Sequence, residues 1–183
     1  MKYRFKIIQI FRKIFLFIYF KISPVNCSRL MGVTIGKNCK IYGNSPNMWG
    51  TEPFLITIGN NVYITNGCKF VNHDGGTLIL RKRTPSLELT APIVIGDDVY
   101  LGVETMIMPG IVIGNNVIVG ARSIITKNVE ENSVIVGIPA KKIKTVDQYY
   151  EEIKKKSLGI GHLDRDSKEK ELKKIFKKQK FFI

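Results

Sequence analysis

The stretch that decides the fold is IGDDVYLGVETMIMPGIVIGNNVIVGARSIITKNV, residues 95–129. Large aliphatics stand at Ile95, Leu101, Ile107, Ile113, Val119 and Ile125, a step of six held through five intervals. Neither the helical period of 3.6 nor the strand period of 2 produces that step. The residue after each is Gly96, Gly102, Met108, Gly114, Gly120 and Thr126, and the fourth after each is Val99, Thr105, Ile111, Val117, Ser123 and Val129. Both columns are mostly small or β-branched. The pattern predicts one short β-strand per hexapeptide and a tight turn at the small position, where the backbone is expected to adopt a conformation that bulky residues resist. Three strands close a coil, so each aliphatic stacks on its equivalent one coil away.

Outward from this block the same step recurs at Ile35 and Ile41, and again at Ile58, Ile64 and Phe70. Cys39 and Cys68 fall in the small columns and are read as buried core residues rather than reactive thiols. After Phe70 the next aliphatic is due at position 76, but the sequence runs VNHDGGTLILRKRTPSLELTAP and the step resumes only at Ile95. A break of this size in a strict repeat predicts a projecting loop, residues 72–92, and is where function is usually grafted. It holds His73, the one histidine of the repeat region. A lone histidine is more often structural than catalytic. This one directly follows a strand, stands between Asn72 and Asp74, and precedes Gly75 and Gly76, which let a ligand or backbone approach closely.

Charge is distributed unevenly along the 183 residues, whose formal net charge is +14. Residues 1–22 carry six Lys/Arg and no acid, residues 141–183 carry fourteen basic and seven acidic, and the 118 between carry nine and eight. A nearly neutral central domain with basic ends argues against nucleic-acid binding, which concentrates cations on the reading surface. Three cysteines and two histidines lack the number and spacing of a disulfide framework or a metal site, and the thiols are expected to be reduced and cytosolic. The first segment, residues 1–24, has an uninterrupted apolar run of only seven residues, Ile14 to Phe20, too short to span a bilayer and without a clear cleavage site. It is read as a basic amphipathic helix that either lies on an anionic membrane surface or packs Phe11, Phe15, Phe17 and Phe20 on the domain or another subunit. Residues 145–183 read as a charged extension of two short helices broken at Gly159 and Gly161, with an apolar seam of Leu172, Ile175 and Phe176 and with His162 in a loop.

The hexapeptide pattern over residues 33–144, and above all the segment running from Ile95 through Gly137, Ile138, Pro139, Ala140, Lys141 and Lys142, resembles the hexapeptide acyltransferases. The resemblance implies an all-β domain over residues 25–144, a left-handed parallel β-helix that breaks the usual right-handed crossover rule, with helical extensions at both termini. It implies acetyl-CoA as acyl donor and a homotrimer with sites shared between subunits. It makes His73 the catalytic base, with Asp74, Asn72 or a backbone carbonyl orienting its other nitrogen. By the same resemblance Gly102, Val103 and Ala121 match the path of the pantetheine arm, Thr126 and Lys127 match the pair near the nucleotide phosphates, and Lys141 and Lys142 fall where basic side chains commonly meet the cofactor's phosphates. The oxyanion is expected to find backbone N–H groups near Gly102 or the histidine loop. Asn66 is a candidate for the acceptor or for aligning the base. Arg81, Lys82 and Arg83 either bind an acidic or phosphorylated acceptor or solvate the loop. The chain looks most like the enzymes that O-acetylate surface polysaccharides, whose acceptors include lipid-linked and nucleotide-linked sugars, rather than those that act on free disaccharides. The competing readings are N-acetylation of an amino sugar and a scaffold without catalysis. A cytoplasmic location, with peripheral contact at the inner membrane face, completes the expectation.

Overall fold

The computed structural model describes residues 2–43 and 45–177, with side-chain environments from Ile8 onward. The extreme ends of the two predicted extensions, residue 1 and residues 178–183, lie outside the described residues. Two helices come first, α1 (Lys2–Ile22) and α2 (Pro24–Leu30). Ser23 separates them, and Pro24 opens α2 where its missing N–H costs nothing. The repeat follows as β1 (Thr34–Ile35), β2 (Lys40–Ile41), β3 (Ile56–Ile58), β4 (Tyr63–Ile64) and β5 (Lys69–Phe70). After the interrupting loop, with its short helix α3 (Thr77–Leu80), come β6 (Ile93–Ile95), β7 (Val99–Leu101), β8 (Met106–Ile107), β9 (Val112–Ile113), β10 (Val117–Val119) and β11 (Ile124–Ile125). The antiparallel hairpin β12 (Ser133–Gly137) and β13 (Ala140–Lys144) closes the region.

The strands stack in parallel into three faces: β1, β3, β6, β9; then β2, β4, β7, β10, β12; then β5, β8, β11. Register is set by the aliphatic column. Ile95 pairs with Ile113, Leu101 with Val119 and Ile107 with Ile125, each eighteen residues on, so three hexapeptides close one coil as the step predicts. All six of these side chains are at most 1% exposed, and Val99, Thr105, Val117 and Ser123 of the second column are equally buried. The interior is a ladder of branched aliphatics with a few small polar residues at its corners.

Three expectations change on inspection. The glycines after each aliphatic do not carry the unusual backbone. The left-handed residues come two positions later, at Asn61, Asp98, Glu104, Asn116 and Arg122, with φ between 54° and 59°. The glycine is required by the neighbouring coil instead: a Cβ on Gly102 would stand 2.6 Å from Ala121 N and 2.7 Å from Val119 O. Cys68 is buried as expected, but Cys39 is only half-buried, because it lies in the first coil and no earlier one covers it. Finally, the all-β description holds for the prism and not for the chain, which also carries five helices among the described residues.

At the prism's base, helix α2 takes residues that the repeat reading gave to the β-helix. Trp49, fully buried, donates from Nε1 to the buried Ser28 Oγ at 2.9 Å, and the Arg29 guanidinium caps the Ile35 and Gly36 carbonyls. In the first coil the third-face strand is replaced by a 3₁₀ turn, Pro46–Trp49, whose indole packs on Phe70 of β5 at 4.8 Å between ring centroids. The chain divides into two compact units, residues 1–146 and 147–183. The second holds most of α4 (Val146–Lys156) and all of α5 (Arg165–Lys177), the two charged helices expected from the sequence. His162 lies in the turn between them, exposed.

Candidate active site

The corner where the third face turns into the first carries the histidine. β5 ends at Phe70, Asn72 enters the core, and His73 pairs with Thr90 in an isolated antiparallel bridge. With the bonds from Ala91 N to Asn72 O and from Asp74 N to Leu89 O, this bridge pinches the loop at its base, so His73 sits on a fixed stem. Asn72 is 0% exposed; its amide donates to Glu52 O at 2.6 Å, while its Oδ1 is buried against Gly50 without a hydrogen-bond partner among the described residues. Gly50 has φ +70°, and a Cβ there would meet Asn72 Oδ1 at 2.6 Å.

His73 is oriented by neither Asp74 nor Asn72, the two side chains the sequence offered. Asp74 Oδ1 accepts from Gly76 N at 2.8 Å and its carbonyl accepts the Thr77 hydroxyl, so Asp74 shapes the loop. The partner is Glu52, whose Oε2 is 3.1 Å from His73 Nδ1, with Thr51 Oγ1 at 3.0 Å from the same nitrogen. Thr51 donates its one hydroxyl proton to Glu52 at 2.6 Å. A carboxylate only accepts, so Nδ1 must carry a proton to satisfy both contacts, and in the neutral ring Nε2 is the basic nitrogen. The Thr51 hydroxyl has the largest effect and, with the lesser hydrogen bond and charge of His73, holds the Glu52 carboxyl below the usual range against burial, which ranks second and opposes them. Glu52 lies 21 positions before His73, the same interval as Trp49 before Phe70, and so occupies the same corner one coil earlier. The signal was the irregular step between Ile41 and Ile58, which puts a second insertion beneath the histidine loop.

The other predicted residues divide between two corners. Thr126 and Lys127 follow β11 on the histidine's corner. Lys127 and Lys142 line a cleft of about 170 Å³ with Asn128, Glu130, Ser133 and Ala140. Lys141 neighbours Lys142 on β13 and so points to the opposite side of the strand, outside that cleft. Gly102 and Val103 follow β7, Ala121 follows β10 and Asn66 follows β4, all on the corner between the second and third faces. Bonds from Glu104 N to Asn66 O and from Arg122 N to Val103 O stack these turns in one column. Within a single chain, therefore, the structure does not bring Asn66 or the Gly102 column to His73. The Gly102 N–H is held by Val119 O at 2.9 Å and is not a donor for an oxyanion. Arg81 is used inside the loop, bonded to Leu87 O and Glu88, whereas Lys82 and Arg83 are exposed.

Residues 92–127 match the family model described as bacterial transferase hexapeptide (six repeats). The chain is 39% identical over 153 residues to protein CapG of Staphylococcus aureus, covering 84% of this chain and 89% of that protein. It belongs to the hexapeptide-repeat transferase family. The galactoside O-acetyltransferase of Escherichia coli is 33% identical over 136 residues, 69% of this chain and 62% of the relative. The crystal structure of the hexapeptide-repeat acetyltransferase VCA0836 from Vibrio cholerae superposes with a TM-score of 0.51 at 27% identity, covering 63% of each chain. The match thus spans under two thirds of these two relatives and most of CapG. As a member of the hexapeptide-repeat transferases, the protein is an acyltransferase, the class of both named acetyltransferases.

Proposed function

We propose that this hexapeptide-repeat protein transfers an acetyl group from acetyl-CoA to a sugar hydroxyl in the cytoplasm, in the synthesis of a surface polysaccharide, with His73 as the general base. The observation that carries the reading is the His73–Glu52–Thr51 constellation: a half-exposed imidazole on a pinched stem, with Nδ1 tied to a carboxylate and Nε2 left basic. In this reading Nε2 takes the acceptor's hydroxyl proton as that oxygen attacks the thioester carbonyl. As the carbon–sulfur bond breaks, the imidazolium returns the proton to the departing thiolate, so the base is regenerated. Glu52 offsets the positive charge on the ring between the two steps.

The donor's fit rests on two features. Val103 and Ala121 stand exposed with short side chains on the Gly102 corner, where a narrow arm runs on this reading, and the Lys127–Lys142 cleft offers two cations, with Glu130 opposing, to a phosphate group. Because His73 and the Gly102 column lie on different corners, the complete site on this reading requires two chains, which supports a homotrimer with three shared sites. The same reading takes the coil as left-handed, residues 25–144 as one domain made of the prism with α2 at its base, and the terminal segments 1–24 and 145–183 as appendages. The acceptor is a sugar, free or linked to a nucleotide or lipid, reached from the side of Lys82 and Arg83.

The test is acetyl transfer followed with purified protein and a panel of sugar and nucleotide-sugar acceptors. His73→Ala is expected to lose about 10² to 10⁴ of kcat while keeping the wild-type circular dichroism and Tm. Undiminished turnover in a folded His73→Ala protein removes the histidine from the mechanism.

A further inference from the structure

Helix α1 meets the rest of its unit along one stripe only. Phe20 is buried and Leu16 and Tyr19 pack against the core. Away from that packed stripe Ile8, Phe11, Phe15, Ile18 and Ile22 succeed one another at steps of three and four, which aligns them along one face whose Ile14 and Ile18 edge also lines a groove with Met31 and Pro46. Each is more than half exposed, Phe11 at 68% and Ile22 at 76%, and Ile14 widens the stripe. At 100° per residue Arg12 borders it on one side and Lys21 on the other. A row of six large apolar side chains on one exposed face is a surface built for contact, unlike hydrophobics scattered singly.

Charge decides the occupant. Residues 1–22 hold Lys2, Arg4, Lys6, Arg12, Lys13 and Lys21 and no carboxylate. Steps of three and four also make the seam of a helix pair, but two copies of this helix would bring cations together with nothing to neutralise them. No helix among the described residues is long and apolar enough to cross a membrane. An anionic bilayer surface satisfies both demands, its interface taking the apolar stripe and its headgroups the flanking cations. We propose that α1 lies in the plane of an anionic membrane surface with its Ile8–Phe11–Phe15–Ile18–Ile22 face at the headgroup boundary. The proposal stands apart from the acyl-transfer reading, since it concerns only this helix.

Flotation of the full-length protein with vesicles tests it. The protein is expected to rise with vesicles of phosphatidylglycerol mixed with phosphatidylcholine at low salt, to be released as salt increases, and to stay behind with phosphatidylcholine alone. Arg12→Gln with Lys21→Gln is expected to weaken binding about thirtyfold. Phe11→Ser with Phe15→Ser is expected to abolish it, with an unchanged Tm because both side chains are exposed. Failure of the wild type to float with phosphatidylglycerol vesicles, equal flotation with neutral ones, or undiminished flotation of the Phe11/Phe15 variant overturns the proposal. So does a lipid-free assembly, measured by sedimentation velocity, that the Phe11/Phe15 variant loses, for then the stripe is a seam between chains.

Discussion

Nδ1 of His73 has two oxygen neighbours, Thr51 Oγ1 at 3.0 Å and Glu52 Oε2 at 3.1 Å, and both lie more than twenty positions back along the chain. His73 itself was visible in the sequence because it stands where a strict repeat breaks. Glu52 was not, because pairing across coils joins residues 21 apart only when an insertion has reset the count. Replacing it should separate orientation from binding. Glu52→Gln is expected to lower kcat about 10²-fold with the KM for acetyl-CoA unchanged, and Glu52→Asp to recover part of the loss. The effect falls short of the ~10⁴ for a buried orienting carboxylate because Glu52 is partly solvated, 28% exposed. The depressed carboxyl also fixes a sign. Its contribution to stability is full at neutral pH, declines once pH falls below the unfolded value of about 4.3, and is gone below the lower folded value. The Tm difference between wild type and Glu52→Gln, measured against pH, should therefore close on acidification and persist at neutrality.

Coils, not single strands, are the elements that hold this protein, since strands of two or three residues have no stability alone. Each is tied to the next by register pairs and by a corner ladder in which Asn60 N donates to Asp97 Oδ1 at 2.6 Å and Asp97 N to Asn115 Oδ1 at 2.8 Å. The left-handed turn residues that follow are mostly Asn and Asp, whose short polar side chains tolerate that backbone; Asn61 Nδ2 donates to Asp98 Oδ1 at 3.1 Å. The glycine column therefore marks where one coil presses on another. Gly102→Ala should cost about 1–3 kcal/mol, because the new methyl meets the backbone of residues 119–121 in the next coil. Gly75→Ala, in the projecting loop with nothing within 4 Å of the added Cβ, should be close to neutral in the same urea titration. Reading the glycine as a turn residue was reasonable from a single repeat, and wrong because the constraint comes from the repeat above it.

At the scale of the molecule, the Gly102 column and His73 occupy different corners of the prism, so the proposed shared site makes a prediction that a self-contained chain does not. Ala121→Trp, at an exposed position, should block the donor groove without disturbing the fold. Mixed and reassembled with His73→Ala, two inactive proteins should regain turnover in hybrid trimers, and light scattering of each alone should give three chains. Activity that never returns on mixing, from variants that do assemble, places the whole site within one chain.

What the sequence by itself determined was the periodic part: the step of six, the eighteen-residue coil, the aliphatic ladder, the site of the loop and its histidine, and the charged helices at the C-terminal end. These follow from local side-chain period, which a single chain displays without reference to anything distant. Only the tertiary structure decided what partners His73, which corner each predicted contact occupies, that Lys141 and Lys142 part company, and that α1 packs one stripe while baring another. Those are distances between residues far apart in the chain, and insertions in two coils remove the period that would have aligned them.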